Sequence, residues 1–298
     1  MTKRESIIRY YLIIKKLRKN PATFYELASY LQLESHLQDY HFDISKRTFH
    51  RDLDDIRSIY DIDIQYDFSR KVYFIDFDEH AEINERVFEA FNIFNALNLS
   101  ARLSEHIHFE KRKPLGTENL YGLLHAIKNK VQISFTHHNY WDDILTNRTV
   151  EPYALKEFKN RWYVLANDLK DNHMKSFALD RITALEITSK PFKSPVVFNI
   201  NEHYRYCFGI ISPNEDKPYN IILSFEPHQG NYIKSLPLHE TQVVLKDNDD
   251  ELQIGLTLFI THDFIMELLS YGENVKVIKP ASLIKMLKSA YQNALNQY

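Results

Sequence analysis

Apolar residues in the first sixty positions recur every three or four residues, the period of helices packed on one side. Ile7, Tyr11, Ile14 and Leu17 predict one amphipathic helix, closed by Asn20 and Pro21. "TFYE" then has the form of a capping box, with Thr23 as N-cap and Glu26 reaching back. Phe24, Leu27, Ala28 and Leu31 follow as the apolar face of a second helix. Residues 32–44 are polar and aperiodic and predict a loop. In "SKRTFHRDLDDIRSIY" Ser45 is available as N-cap, and Phe49, Leu53, Ile56 and Tyr60 fall in one narrow stripe. Arg47 and Arg51 lie on the opposite side of that helix, flanked by Thr48 and His50. "IDIQYDFSRKVYFID" alternates Ile62, Ile64 and Tyr66 before a turn and Val72 and Phe74 after it. This predicts a β-hairpin with Arg70 and Lys71 near its tip.

The pattern changes twice more. "NERVFEAFNIFNALNLS" presents Val87, Phe88, Phe91, Phe94 and Leu97, and a second helical pattern runs through Leu120, Leu123, Leu124 and Ile127. That apolar surface is too wide for a helix lying singly on a domain, so a partner is expected, either another domain or a second copy of the chain, and a homodimer is the first choice. From Val131 the period becomes two. "VQISF", "RTVEPY", "NRWYVLA", "KSFAL" and "TALEIT" read as about five short strands, which is the scale of a small barrel. Adjacent residues on a strand point to opposite faces, so Trp162 and Tyr163 divide between core and surface, leaving one ring outward to stack on a ligand. After a proline-bearing stretch, "YNIILSF" opens a βαββαβα order, the ferredoxin-like pattern with one added helix.

Composition narrows the function classes. At 44% hydrophobic and 26% charged the chain is ordinary globular material. No run approaches the roughly 18 apolar residues of a membrane span, and the first twenty residues lack a cleavable signal, so a soluble, cytoplasmic protein without a membrane partner is expected. The single cysteine, Cys207, rules out an internal disulfide and a thiolate zinc cluster. "THH" at 136–138 and "HIH" at 106–108 lack a metalloprotease spacing, and the six glycines form no phosphate-binding loop. No catalytic residue, metal or cofactor is therefore assigned. Net charge is −3, but between residues 3 and 19 Lys3, Arg4, Arg9, Lys15, Lys16, Arg18 and Lys19 are opposed only by Glu5. Such local asymmetry builds a phosphate-attracting surface on a soluble chain. Three helices and a hairpin with a basic tip are the order of a winged helix-turn-helix. Lys46, Arg47, Thr48, His50 and Arg51 are then candidates for contact with double-stranded DNA, and Arg70 and Lys71 for its backbone.

"NRWYVLAND" followed by "FALDRITALEI" resembles the WYL domain, and "ISKRTFHRDLDDIRSIYDIDIQYD" is similar to the winged helix-turn-helix of bacterial WYL-domain transcriptional regulators. The resemblance extends over nearly the whole chain. It implies an α+β, multidomain fold: a winged helix-turn-helix at 1–78, a helical connector at 79–128, an SH3-like, Sm-type β-barrel at 129–190, a linker at 191–217 and a ferredoxin-like extension at 218–298. It also implies an anionic effector, a nucleotide or single-stranded nucleic acid, bound on the barrel. By position, Trp162 and Tyr163 match the first two motif residues, Asp180 and Arg181 match the "DRI" element, and Arg148 with Pro152 match the basic residue and proline before the motif. The third motif position is Val164, with Leu165 after it, and His137 or Tyr140 stands where a tyrosine is common. Tyr163 offers a π-face and a hydroxyl, while Arg148 and Arg181 offer forked donors suited to phosphate. A second reading is an RNA- or single-strand-binding accessory protein whose helix-turn-helix serves protein interaction.

Overall fold

The computed structural model describes residues 3–38, 40–78, 87–90, 115–193, 198–213 and 217–298. It divides into two units, Met1–Phe109 and Glu110–Tyr298. In the first, helix α1 (Lys3–Lys19) is covered on most sides, because Ile8, Tyr10, Leu12, Ile13, Ile14 and Leu17 are all buried. Helix α2 (Phe24–Gln38) begins at the expected capping box, with the Glu26 amide donating to Thr23 Oγ1 (3.2 Å) and the Thr23 amide to Glu26 Oε2 (2.7 Å). It runs on to Gln38, so much of the expected loop is helical. "LQLESHLQ" contains no glycine or proline, and its leucines and glutamines have high helix propensity. Ser35 closes the corner, since its hydroxyl accepts from the amide of Phe42, whose side chain is buried.

Helix α3 (Lys46–Tyr60) starts at Ser45, whose Oγ accepts from the Thr48 amide, and buries Phe49, Asp52, Ile56 and Tyr60. Asp52 is fully buried and paired with the equally buried Arg9 of α1, Nε to Oδ2 at 2.6 Å and Nη2 to Oδ1 at 2.8 Å. Arg9 therefore belongs to the interior and not to the expected basic surface. A bidentate guanidinium–carboxylate pair fixes the two helices in register, because neither charge tolerates burial alone. Strands β1 (Ile62–Asp67) and β2 (Val72–Asp78) form the hairpin, antiparallel, with Tyr66 opposite Tyr73 and Ile64 opposite Ile75. Paired residues share a face, so Tyr73 and Ile75 turn toward the core, not Val72 and Phe74. Ala22, just before α2, exchanges two backbone bonds with Tyr73 (3.0 and 2.8 Å), which ties the hairpin to the helices. Phe88, in a helical turn at 87–90, packs its ring on Tyr11 and Tyr60. Phe91, Phe94 and Leu97 lie outside the described residues.

The second unit opens with α4 (Leu120–Asn129), whose Leu123 and Ala126 are buried against a five-stranded antiparallel sheet. Its strands are β3 (Val131–Asn139), β4 (Ile144–Phe158), β5 (Arg161–Asp168), β6 (His173–Ala178) and β7 (Ile182–Pro191), in the order β6-β5-β4-β3-β7. The long β4 pairs with β3 through Val150 and with β5 from there on, with a bulge between Pro152 and Ala154. Pro152 stands where β4 has left β3, so its missing amide proton breaks no ladder. β6 and β7 remain the two edges, so the sheet is not closed into the expected barrel. Part of the apolar surface of the second expected helix is covered by this sheet.

A short helix, α5 (Ile200–Tyr204), precedes a four-stranded antiparallel sheet of β8 (Tyr219–Phe225), β9 (Val243–Asp247), β10 (Leu252–Leu258) and β11 (Val275–Lys279). Its order is β11-β8-β10-β9, with helices α6 (Pro227–Ser235), α7 (His262–Ser270) and α8 (Ala281–Leu295) between and after the strands. This is the ferredoxin-like arrangement with one extra helix. Ile221, Leu223, Phe225, Ile254 and Leu256 make one apolar face, closed by Ile233, Phe264, Leu268 and Leu283. No helix among the described residues is long and apolar enough to cross a membrane.

Replacing Asp52 by alanine strands the Arg9 charge in the core and is expected to cost the first unit about 3–5 kcal/mol. Exchanging both partners, Arg9→Met with Asp52→Leu, is expected to recover most of that loss. Hydrogen exchange of α1 and α3 amides in the two variants measures it.

Candidate functional site

On β5 the alternation is realised in full: Trp162, Val164 and Ala166 contribute to the α4-covered core, and Tyr163 and Leu165 take the other face. That other face is not free. Leu165 packs with Tyr204 and Cys207, and Tyr163 is only 8% exposed, so the expectation of an outward aromatic is not met. The physical reason is that residues 198–208 cover the second face of the sheet. Burial pushes the Tyr163 phenol upward, so it remains a neutral hydroxyl.

The same covering leaves a cavity of about 410 Å³ beside it. His137 and Asn139 of β3, Arg148 of β4 and Lys175 and Ser176 of β6 line one side; His203 and Ile210–Ser212 line the other. Its electrostatics turn on Asp168, at the end of β5 and fully buried. Arg148 Nη1 (2.9 Å) and Lys175 Nζ (2.8 Å) both donate to its Oδ2, and the Lys170 amide donates to Oδ1 (3.1 Å). Burial alone would raise the Asp168 carboxyl; these donors and cations overcome it and hold the group below its ordinary value. Asp171 also pairs with Lys175. Burial, with the charges of Arg181 and Arg148, lowers His137; burial, with Lys156, lowers His203. Both imidazoles are thereby biased to the neutral form, and the buried Nε2 of His203 has no hydrogen-bond partner among the described residues.

The wall at 210–212 is held from the C-terminal sheet domain. Asp263 Oδ2, in the first turn of α7, accepts from the amides of Ile210 (2.9 Å) and Ile211 (3.2 Å). Lys156 Nζ donates to the Gly209 carbonyl at 2.7 Å. A Cβ at residue 209 would stand 2.4 Å from the Asp263 carboxylate, so only glycine lets this contact form.

Of the remaining residues expected on this domain, Arg181 and Tyr140 come together outside the cavity, with the guanidinium carbon 4.5 Å from the ring centroid. Arg181 ends a short 3-10 turn, Leu179–Arg181, against which Gly116 packs: a Cβ there would lie 2.4 Å from the Leu179 carbonyl, and its φ is +80°. Asp180 is engaged by Arg161 at 3.0 Å, not by Arg181. Trp162 is in the core. The cavity thus gathers His137 and Arg148 from the expected set and adds Asn139, Lys175, Ser176, His203 and Ser212. Lys175 is within reach of the alternation, two strands over from Arg148 with β5 and its Asp168 between them. His203 and Ser212 come from a stretch with no period to read.

Matches to known families fit this geometry. The family model for the WYL domain matches residues 118–187, the α4-plus-sheet body, and that for the WCX domain matches 217–295, the ferredoxin-like body. The chain contains a WYL domain. Its WYL domain is followed by a WCX domain, and the cavity opens in the WYL domain at a wall that the WCX domain holds. No curated protein matches the chain significantly. Among solved structures, proteasome accessory factor B/C of Arthrobacter aurescens is similar at 20% identity over 70% of this chain and 31% of that one, with a TM-score of 0.29. A CRISPR Cas-related protein is similar at 12% identity over 62% of this chain and 53% of that one, with a TM-score of 0.40. This chain therefore spans about a third and about half of those two structures.

In the N-terminal unit Lys46, Arg47, His50 and Arg51 are all exposed on α3, with Thr48 half-buried and its hydroxyl against Ser45 Oγ at 3.0 Å. Arg47 and Arg51 have no ion-pair partner among the described residues, and Lys46 lies over the rings of Phe24 and Tyr25. At the hairpin turn Asp67 Oδ1 accepts from the Ser69 and Arg70 amides, and Lys71 takes φ +56°, which leaves Arg70 and Lys71 exposed.

Asp168→Ala is expected to destabilise the WYL domain by about 3 kcal/mol, because Arg148 and Lys175 lose their shared partner. As pH falls, unfolded chains take up protons at Asp168, His137 and His203 before native ones do. Stability should therefore decline first below about 6.5 through the histidines, then further below about 4 through Asp168. Urea titrations followed by tryptophan fluorescence across that range test both statements. Asp263→Ala is expected to raise amide exchange at Ile210 and Ile211 about tenfold without unfolding the WYL domain, as the loss of one charged acceptor implies.

Proposed function

We propose that this WYL-domain protein is a ligand-responsive transcriptional regulator of a bacterial cytoplasm. Residues 1–78 act as a winged helix-turn-helix on double-stranded DNA, and the cavity of the WYL domain takes an anionic effector, a nucleotide or single-stranded nucleic acid. The chain works as a homodimer, 79–128 serving as connector, 129–190 as sensor, 191–217 as linker and 218–298 as the extension that carries the response. The observation that most supports this reading is the division of α3: its apolar stripe is wholly used by the core, while Lys46, Arg47, His50 and Arg51 stand exposed at its N-terminal half. Groove-reading helices present their first turns to base edges and phosphates, where the positive end of the helix dipole adds to the basic side chains. Arg70 and Lys71 at the hairpin turn are placed for the adjoining backbone. For the effector, Arg148 and Lys175 supply donors, and the neutral His137 and His203 can accept a proton as an anion arrives. Enzymatic turnover forms no part of the proposal.

Selection of bound genomic fragments supplies the duplex, and affinity is then followed against salt. The Arg47→Ala, Arg51→Ala double variant is expected to bind at least tenfold more weakly and to lower the slope of log affinity on log salt by about two. An unchanged slope would move the function to the accessory-protein reading, with single-stranded nucleic acid as ligand. Arg148→Ala is expected to weaken effector binding while duplex affinity without effector stays as in the parent.

A further inference from the structure

The chain has two tryptophans, and the second lies where neither core nor cavity uses it. Trp141 sits at the tip of the β3–β4 hairpin and is 94% exposed; its neighbour Tyr140 is 54% exposed. Exposure of a whole indole forgoes one of the largest hydrophobic contributions available to a side chain. The tip is nonetheless built with care. Asn139 Oδ1 accepts from the Trp141 amide (3.1 Å), Asn139 Nδ2 donates to Asp142 Oδ2 (2.8 Å), and His138 Nε2 meets Asp143 Oδ1 (2.7 Å). Tyr140 stands edge-on to His138 and under the Arg181 guanidinium, whose buried Nε donates to nothing among the described residues.

We propose that Tyr140 and Trp141 form a stacking platform for the bases of a single-stranded nucleic acid whose phosphates enter the adjoining cavity. The two parts are contiguous: Asn139, which anchors the Trp141 amide, also lines the cavity. Two residues of strand span about 7 Å, the scale of a phosphate-to-base reach. Charge divides the ligand the same way. Cationic Arg148 and Lys175 line the cavity and Arg181 stands outside it over the Tyr140 ring, whereas Asp142 and Asp143 follow Trp141 and repel phosphate, so an uncharged, flat moiety is what the Trp141 end of the tip accommodates. Stacking on an aromatic tolerates any base, so the platform confers binding without sequence preference. The inference rests on the anionic-effector reading and adds to it the place where the bases of that effector stack.

The test compares a short oligothymidylate with an abasic oligonucleotide of equal length, using the full chain and its Trp141→Ala variant. With the side chain almost fully exposed, the substitution leaves the fold intact. Oligothymidylate is expected to quench tryptophan fluorescence in the parent but not in the variant, and to bind the parent about tenfold more tightly than the abasic strand does. The variant should bind both alike. Equal binding of the two strands by the parent overturns the platform and leaves the anionic-effector reading standing. So does oligothymidylate affinity unchanged in the variant, or a change of oligomeric state on losing Trp141, which would assign the ring to a protein contact. Failure of both strands to bind overturns platform and effector reading together.

Discussion

A carboxylate inside a protein must be answered by donors, and Asp168 imposes that requirement on the WYL domain. It lies at the end of β5, where three strands bring side chains within reach, and it takes Arg148 from β4 and Lys175 from β6 on one oxygen. The cavity exists on these terms. Two long cationic side chains are drawn inward over one face of the sheet instead of extending into water, and the charge they bring is largely balanced. What an anion meets is a set of ordered donors and neutral imidazoles, poised by desolvation, in place of a bare cluster of positive charge.

The second determinant is that the sheet is covered on both sides. Helix α4 closes one face with Leu123 and Ala126, and residues 198–213 close the other with Tyr204 and Cys207. A two-sided sheet has no spare face on which an aromatic ring can stand open, so open space is left only at the margins of the cover. One margin is the cavity under Ile210–Ser212. The other is the β3–β4 hairpin, whose tip projects beyond the sheet with Tyr140 and Trp141. Asp263 makes the first margin a joint property of the two bodies of this unit, because the wall hangs by two amides from a WCX-domain carboxylate. In the N-terminal unit a buried pair plays the corresponding part. Arg9 and Asp52 lock α1 to α3, so the charge that α3 turns fully into the core is matched there.

Much of the fold was legible because its elements follow their periods. The capping box at Thr23 and Glu26, the Ser45 cap, the Phe49–Tyr60 stripe and the βαββαβα order are local patterns, and local hydrogen bonding and one-sided burial are enough to realise them. The misreadings share a cause. Arg9 looks like any other surface cation, and only a carboxylate forty-three positions away makes it interior. The inward phase of β2 depends on register with β1, which the turn sets and alternation alone does not. Tyr163 was expected outward because strand alternation says which residues share a face, never whether that face is covered.

The sequence by itself determined the element order, the apolar face of most helices, the basic face of α3 and the kinship with WYL-domain proteins, since each is written in spacing or in a contiguous motif. Tertiary structure alone decided which cations are free. Arg148 is claimed by Asp168, Arg161 by Asp180, and Arg181 is left to stack on Tyr140, choices made by strand order and burial among residues far apart in the chain. It also decided that Trp141 stands in solvent while Tyr163 is buried. Solvent exposure is a property of what else packs nearby, and no stretch of residues carries that information on its own.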